Sequence, residues 1–199
     1  MSAAPVNIAA AEVAESHRLS RGRVGMWCLI VAESAIFLIF ITAYIFYMGK
    51  SLDGPTPTQI LTVPVFTTIC LLSSSFTMHW ATGALRRGNQ TLFRLFWFIT
   101  WALGAIFLIG TGREWHRFIY RENFTISTNL FGTTYYSLVG LHASHVAVGL
   151  IALGTVLVLA LLGKVKQEHS ERCEILAMYW HFVDAIWVVV FTVVYGLGR

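Results

Sequence analysis

The chain has 199 residues, of which 56% are hydrophobic and 12% charged, about half the charged share of an ordinary soluble domain, and its mean hydropathy of +0.67 points to lipid rather than water. The formal net charge of +4 does not indicate nucleic acid, because the basic residues form no stripe and sit in short clusters between apolar runs, as in loops at an anionic membrane surface. Cys28, Cys70 and Cys173 have neither metal nor haem-attachment spacing, which argues against a disulfide framework and for small apolar packing.

Residues 1–20 contain Glu12 and Glu15 and no basic leader. They read as a mobile or surface-lying tail rather than a cleaved signal peptide, and residues 21–199 read as one transmembrane domain. A hydrocarbon core about 30 Å thick takes about 20 helical residues, and five apolar runs meet that length. The first, 24–48, has Glu33 as its only charge. The second, 61–85, has Pro64 near its start and His79 near its end. The third, 95–112, is uncharged and flanked by Arg94 and Arg113. The fourth, 130–163, holds His142 and His145, and would be about 50 Å long as a helix, so it must tilt or project from the hydrocarbon. The fifth, 175–198, holds His181 and Asp184.

The connections are polar. Asp53, Gly54, Pro55 and Pro57 mark the turn after the first run, and Arg86-Arg87-Gly88-Asn89 a tight turn after the second. Segments 113–128 and 164–174 read as loops. There is no internal repeat. The runs do not alternate as barrel strands do, and helices leave no backbone group unsatisfied in lipid. The expected fold is all-α, a five-transmembrane-helix bundle. Arg18, Arg21, Arg23, Arg86, Arg87, Arg94, Lys164, Lys166 and Arg172 gather on one side, against Lys50, Arg113, Arg117, Arg121 and Arg199 on the other. That bias puts the N-terminus on the cytoplasmic side and the C-terminus outside.

A few residues could carry chemistry. Glu33 lies near mid-membrane, where a lone carboxylate is too costly, so it needs a partner. His142 and His145, three apart, are expected on one helix face within the span, and Glu33 is expected within hydrogen-bond reach of one of them, His145 foremost. His181 and Asp184 repeat the spacing on the last helix. Together these residues suit a polar seam between helices better than a metal site, because nothing brings them to one depth. Arg113-Glu114-Trp115-His116-Arg117 reads as an interfacial anchor with tryptophan at headgroup level, the sharper alternative being binding of anionic headgroups by the arginines. The seven tryptophans read as belt or core residues. There is no phosphate loop, nucleophile elbow or haem-attachment motif.

Particular words in the chain go further. Tyr179-Trp180-His181-Phe182-Val183-Asp184 with Ile186-Trp187, and Gly140-Leu141-His142-Ala143-Ser144-His145-Val146 with Gly149, resemble signatures of subunit III of the haem-copper terminal oxidases. Phe124-Thr125-Ile126-Ser127, Phe131-Gly132-Thr133-Thr134, Ala32-Glu33, Glu114-Trp115, Pro64 and the stretch 73–81 are similar to it in the same order. The resemblance covers residues 21–198 and is closest to the short, five-helix form. Ala32 stands where the family usually has serine, Thr82-Gly83 replaces a histidine pair that some members have, and the segment after Arg113 is longer than in mitochondrial members.

The resemblance implies a noncatalytic core subunit of a proton-pumping cytochrome c oxidase, with no cofactor of its own and with haem and copper in partner subunits. It implies subunit I as the direct partner, subunit II and a small subunit IV as further ones, and phospholipid between the helices. It implies proton support around Glu33, His142, His145, His181 and Asp184, lipid contact at Arg113, Glu114, Trp115 and Arg117, and a bacterial inner membrane as location. Subunit III of a quinol oxidase, or the related nitric-oxide-reductase-associated protein, is the alternative within the family. Outside it stand a small channel or transporter, and a membrane enzyme with metal on Glu33, His142, His145 and Asp184. Neither accounts for the ordered words.

Overall fold

The structure, a computed structural model, describes residues 20–51 and 60–197. The expected tail lies outside the described residues except for Ser20, as do Asp53, Gly54, Pro55, Pro57 and Arg199. The described residues form helices and connecting turns, with no strand. Five long helices carry the fold: α1 (Arg21–Tyr47), α2 (Val65–Arg86), α3 (Gln90–Tyr120), α4 (Leu130–Leu161) and α5 (Ser170–Phe191), the last running on as a π-helical turn, Thr192–Leu197. Four of these are long and apolar enough to cross a membrane, α5 being counted with its extensions over Gln167–Leu197. α2 is less apolar because seven of its residues carry hydroxyls.

Local chemistry sets most helix ends. Ser20 caps α1, accepting from the Arg23 N–H at 3.4 Å. Asn89 caps α3 and Asn129 caps α4, accepting from Leu92 and Gly132 N–H groups at 3.1 and 2.8 Å. Gly88, at φ 74°, makes the hairpin between α2 and α3, a backbone state that any side chain would strain. Two helices outrun their apolar runs. α3 continues through Tyr120, so Arg113, Glu114, Trp115 and Arg117 sit on helical turns and not on a loop, and α5 begins at Ser170. Hydropathy marks where a helix meets lipid, and no glycine or proline stops these helices at that border.

The chain runs up and down between two ends. At one end Glu174, starting α5, accepts from Arg23 of α1 at 2.6 Å and from Arg86, closing α2, at 3.4 Å. At the other, Ser51 Oγ after α1 accepts from the Phe131 N–H of α4 at 3.0 Å, and Arg117 of α3 donates to Thr62, before α2, at 2.9 Å. Helix ends from different parts of the chain therefore meet at each end of the bundle.

Tryptophans of α3 and α5 fasten the bundle. Trp180 of α5 donates to Ser74 Oγ of α2 at 2.8 Å. Its ring is held between Gly104 of α3 and Gly149 of α4, where added Cβ atoms would fall 2.7 and 2.8 Å from it. Trp187 donates to Thr68 of α2 at 3.2 Å, and Trp97 of α3 to the Leu153 carbonyl of α4 at 2.9 Å. The segment before α4 folds back on that helix: Tyr136 donates to the Phe124 carbonyl at 2.8 Å, Thr133 to that of Ile126 at 2.7 Å, and Gly132 leaves room for the Thr125 carbonyl. α1 is peripheral, burying only Phe37, Ile41 and Tyr44.

Candidate functional site

Glu33 is the thirteenth residue of the 27-residue α1, and it meets α4 there. Its Oε2 lies 3.0 Å from His145 Nε2, the pairing expected from the sequence. The other ring nitrogen, Nδ1, is 2.8 Å from the carbonyl of Leu141. A carbonyl only accepts, so Nδ1 carries a hydrogen. That leaves two arrangements at Nε2. A neutral imidazole accepts from a carboxylic acid, or an imidazolium donates to a carboxylate. Both contain one shared proton and no net charge, which is how an acidic residue at this depth is tolerated. The pair faces an open groove of about 240 Å³ lined by Leu29, Ser144, Val148 and Tyr179. Tyr179 donates its hydroxyl to the His145 carbonyl at 3.2 Å.

His142 does not share this setting. Three residues are about 60° apart around a helix axis, enough to turn His142 inward while His145 meets the groove. It is 0% exposed. Its ring stacks on Trp187 at 4.9 Å and 28°, with Phe107 edge-on at 5.8 Å and Phe37 at 6.5 Å. Neither ring nitrogen has a hydrogen-bond partner among the described residues.

His181 and Asp184, with the same spacing, are brought together by a third residue. Ser75 of α2 donates its hydroxyl to Asp184 Oδ2 in a short hydrogen bond, and its oxygen lies 3.1 Å from His181 Nδ1. Because the serine hydrogen is directed to Asp184, Nδ1 is the donor in this arrangement. Asp184 is 3% exposed, and its Oδ1 has no partner among the described residues.

A third group lies at the opposite end of α3 from the hairpin. Thr62 donates to Glu114 at 3.5 Å and accepts from Arg117 at 2.9 Å, and Arg117 stands 4.0 Å from the Glu114 carboxylate. With Arg113, Pro64 and Phe66 they line an open cleft of about 340 Å³. Trp115, which the sequence suggested as an anchor at headgroup level, has its ring packed within the bundle. It turns inward onto Tyr136, ring centres 5.3 Å apart, and its ring reaches Gly140 of α4.

The expected polar residues thus form separate groups, not one constellation. Among the described residues no three His, Cys, Asp or Glu side chains converge as a metal site. Sequence reading missed Ser75, Tyr179 and Thr62. Tyr179 stood inside a quoted motif without a role, and Ser75 is one of seven hydroxyl residues on α2. Others, such as Ser74, Thr77 and Thr82, donate to carbonyls of their own helix, so only the fold singles Ser75 out.

Comparison with known proteins bears on this arrangement. Residues 14–199 match the family described as cytochrome c oxidase subunit III. The chain is 32% identical over 177 residues to a cytochrome c oxidase subunit 3 of Alkalihalophilus pseudofirmus, covering 88% of this chain and 86% of that one. It is 37% identical over 182 residues to a protein of the same name from Synechocystis, covering 87% and 74%. It is also similar to a probable quinol oxidase subunit 3 of Staphylococcus saprophyticus, 27% identical over 188 residues and 92% of both chains.

Proposed function

The chain belongs to the cytochrome c oxidase subunit III family, and from that premise we propose that it is the noncatalytic core subunit that sustains proton uptake and working life in a membrane-bound respiratory oxidase. The observation that carries this reading is the Glu33–His145 pair, a proton held without net charge halfway along a membrane helix and facing an open groove.

The redox work belongs to the partners. What supports this is that, among the described residues, His145 has both nitrogens engaged, His142 is enclosed by aromatic rings, and no three His, Cys, Asp or Glu side chains converge. Haem and copper sit in subunit I, the direct partner, and in subunit II, with a small subunit IV as a further neighbour. α2 is the fifth crossing: 22 helical residues span about 33 Å, and its hydroxyls bond inside the bundle. The end bearing Arg23, Arg86 and Arg87 faces the cytoplasm of a bacterial cell, and the C-terminus lies outside. Arg113 and Arg117, beside the cleft at Thr62, hold a phospholipid headgroup by charge-assisted hydrogen bonds.

The test is Glu33→Gln in the assembled oxidase. The amide N–H still donates to His145, so assembly and initial turnover are retained, but the transferable proton is gone and the number of turnovers before inactivation falls. An unchanged working life rejects the proposed role. A second reading, a quinol-oxidising complex, is favoured by the Staphylococcus relative, which matches over 92% of both chains. The donor oxidised by the purified complex decides between them.

A further inference from the structure

Between α2 and α5, at the end bearing Arg23 and Glu174, lies an open cavity of about 440 Å³ lined by His79, Arg86, Arg87, Glu174 and His181. His181 is the inner member of that lining which also belongs to a hydrogen-bonded line. Its Nδ1 is 3.1 Å from Ser75 Oγ, and Ser75 in turn donates to Asp184. Asp184 is buried, and its second oxygen has no partner among the described residues. We propose that His181, Ser75 and Asp184 form a proton relay from this cavity to a buried storage carboxyl, Asp184.

The transfer balances. Water in the cavity delivers a proton to His181 Nε2, giving an imidazolium whose Nδ1–H faces Ser75. The serine hydrogen passes to Asp184 Oδ2 as its oxygen takes the Nδ1 hydrogen. The products are a neutral imidazole protonated at Nε2, a serine hydroxyl now directed at Nδ1, and a carboxylic acid. The imidazolium–carboxylate pair and its neutral product carry the same net charge, and the transfer moves one unit of positive charge from His181 to Asp184. A serine suits this role because one oxygen can accept and donate at once.

The surroundings give the relay a direction. On α2, His79 lies one turn from Ser75 towards the cavity, followed by Arg86 and Arg87. On α5, Glu174 stands two turns before His181 and is held by Arg23 of α1 at 2.6 Å. Elsewhere within the bundle, His142 of α4 is closed off by rings against Trp187, and Glu33 of α1 is committed to His145. The remaining groups, His79, Arg86, Arg87 and Glu174, gather at the cavity.

The relay depends on the proposed function only for its setting in an assembled oxidase. The experiment is infrared spectroscopy of the intact complex in lipid vesicles, following the carboxyl band that Asp184→Asn removes and its exchange on transfer to heavy water. Ser75→Ala is expected to slow that exchange by about a hundredfold, the low end of what a positioned proton-transfer group contributes. Ser75→Thr restores the hydroxyl and the rate. A merely structural seam would show no such rescue. His181→Gln is the second variant should Ser75→Ala not assemble, and it slows exchange likewise. No band lost in Asp184→Asn, or exchange at the original rate in the relay variants, overturns the proposal. Either result leaves the Glu33→Gln test of the subunit's function untouched.

Discussion

Glu33 and His142 are both ionisable residues inside the bundle, yet their removal has opposite consequences. Glu33→Ala strips His145 Nε2 of its partner, and leaving a buried polar group unpaired costs about 1–3 kcal/mol. His142 makes no hydrogen bond among the described residues and stacks on Trp187. His142→Phe therefore keeps the ring contacts and changes stability by less than about 1.5 kcal/mol. Thermal unfolding of the assembled complex compares the two, with Glu33→Ala melting clearly lower. Part of this was legible beforehand. A carboxyl in an apolar run demands a partner, and histidines within another run are the obvious donors. The separate fates of His142 and His145 were not legible, because the rings that enclose His142 come from three other helices. Ser75 was hidden for a similar reason: its two partners lie more than a hundred residues away.

At the scale of the helix, close approach is set by what is missing from Gly104 and Gly149. An alanine methyl at either position would sit less than 3 Å from the Trp180 ring. That ring has little room to retreat, since its N–H is held by Ser74. Gly149→Ala is expected to cost about 1–3 kcal/mol by overpacking. Combining it with Trp180→Phe, which removes the clashing part of the indole, should cost less than the sum of the two changes. A double-mutant cycle on melting of the complex measures this. The helices themselves were readable from apolar runs of sufficient length. Their ends were less so, as α3 and α5 show, because a lipid boundary does not terminate a helix. The clamp on Trp180 was unreadable, since it joins α2, α3, α4 and α5 through residues with no shared pattern in the chain.

For the whole molecule, length and hydropathy were enough to give an all-helical membrane protein, and the ordered motifs were enough to give its family. Which helix touches which depends on side-chain fit and came only with the fold. The proposal of five crossings with the basic end inside makes a direct prediction. Single cysteines in the segment after α4, near Lys164, should react only from the cytoplasmic side, and those near Ser127 only from outside. Labelling in intact cells and inverted vesicles checks both, and the opposite pattern would reverse the orientation. The thin buried strip on α1 has a consequence for how the chain comes into being. α2 and α3 are neighbours in sequence and form a closely packed hairpin, whereas α1 packs chiefly on α4 and α5. Synthesis delivers α1 to the bilayer first and its partners last. Throughout translation of α2, α3 and most of α4, then, the first helix waits in lipid with Glu33 unmet by His145, and its docking is a closing step of biogenesis that only a chain completed through α5 can take.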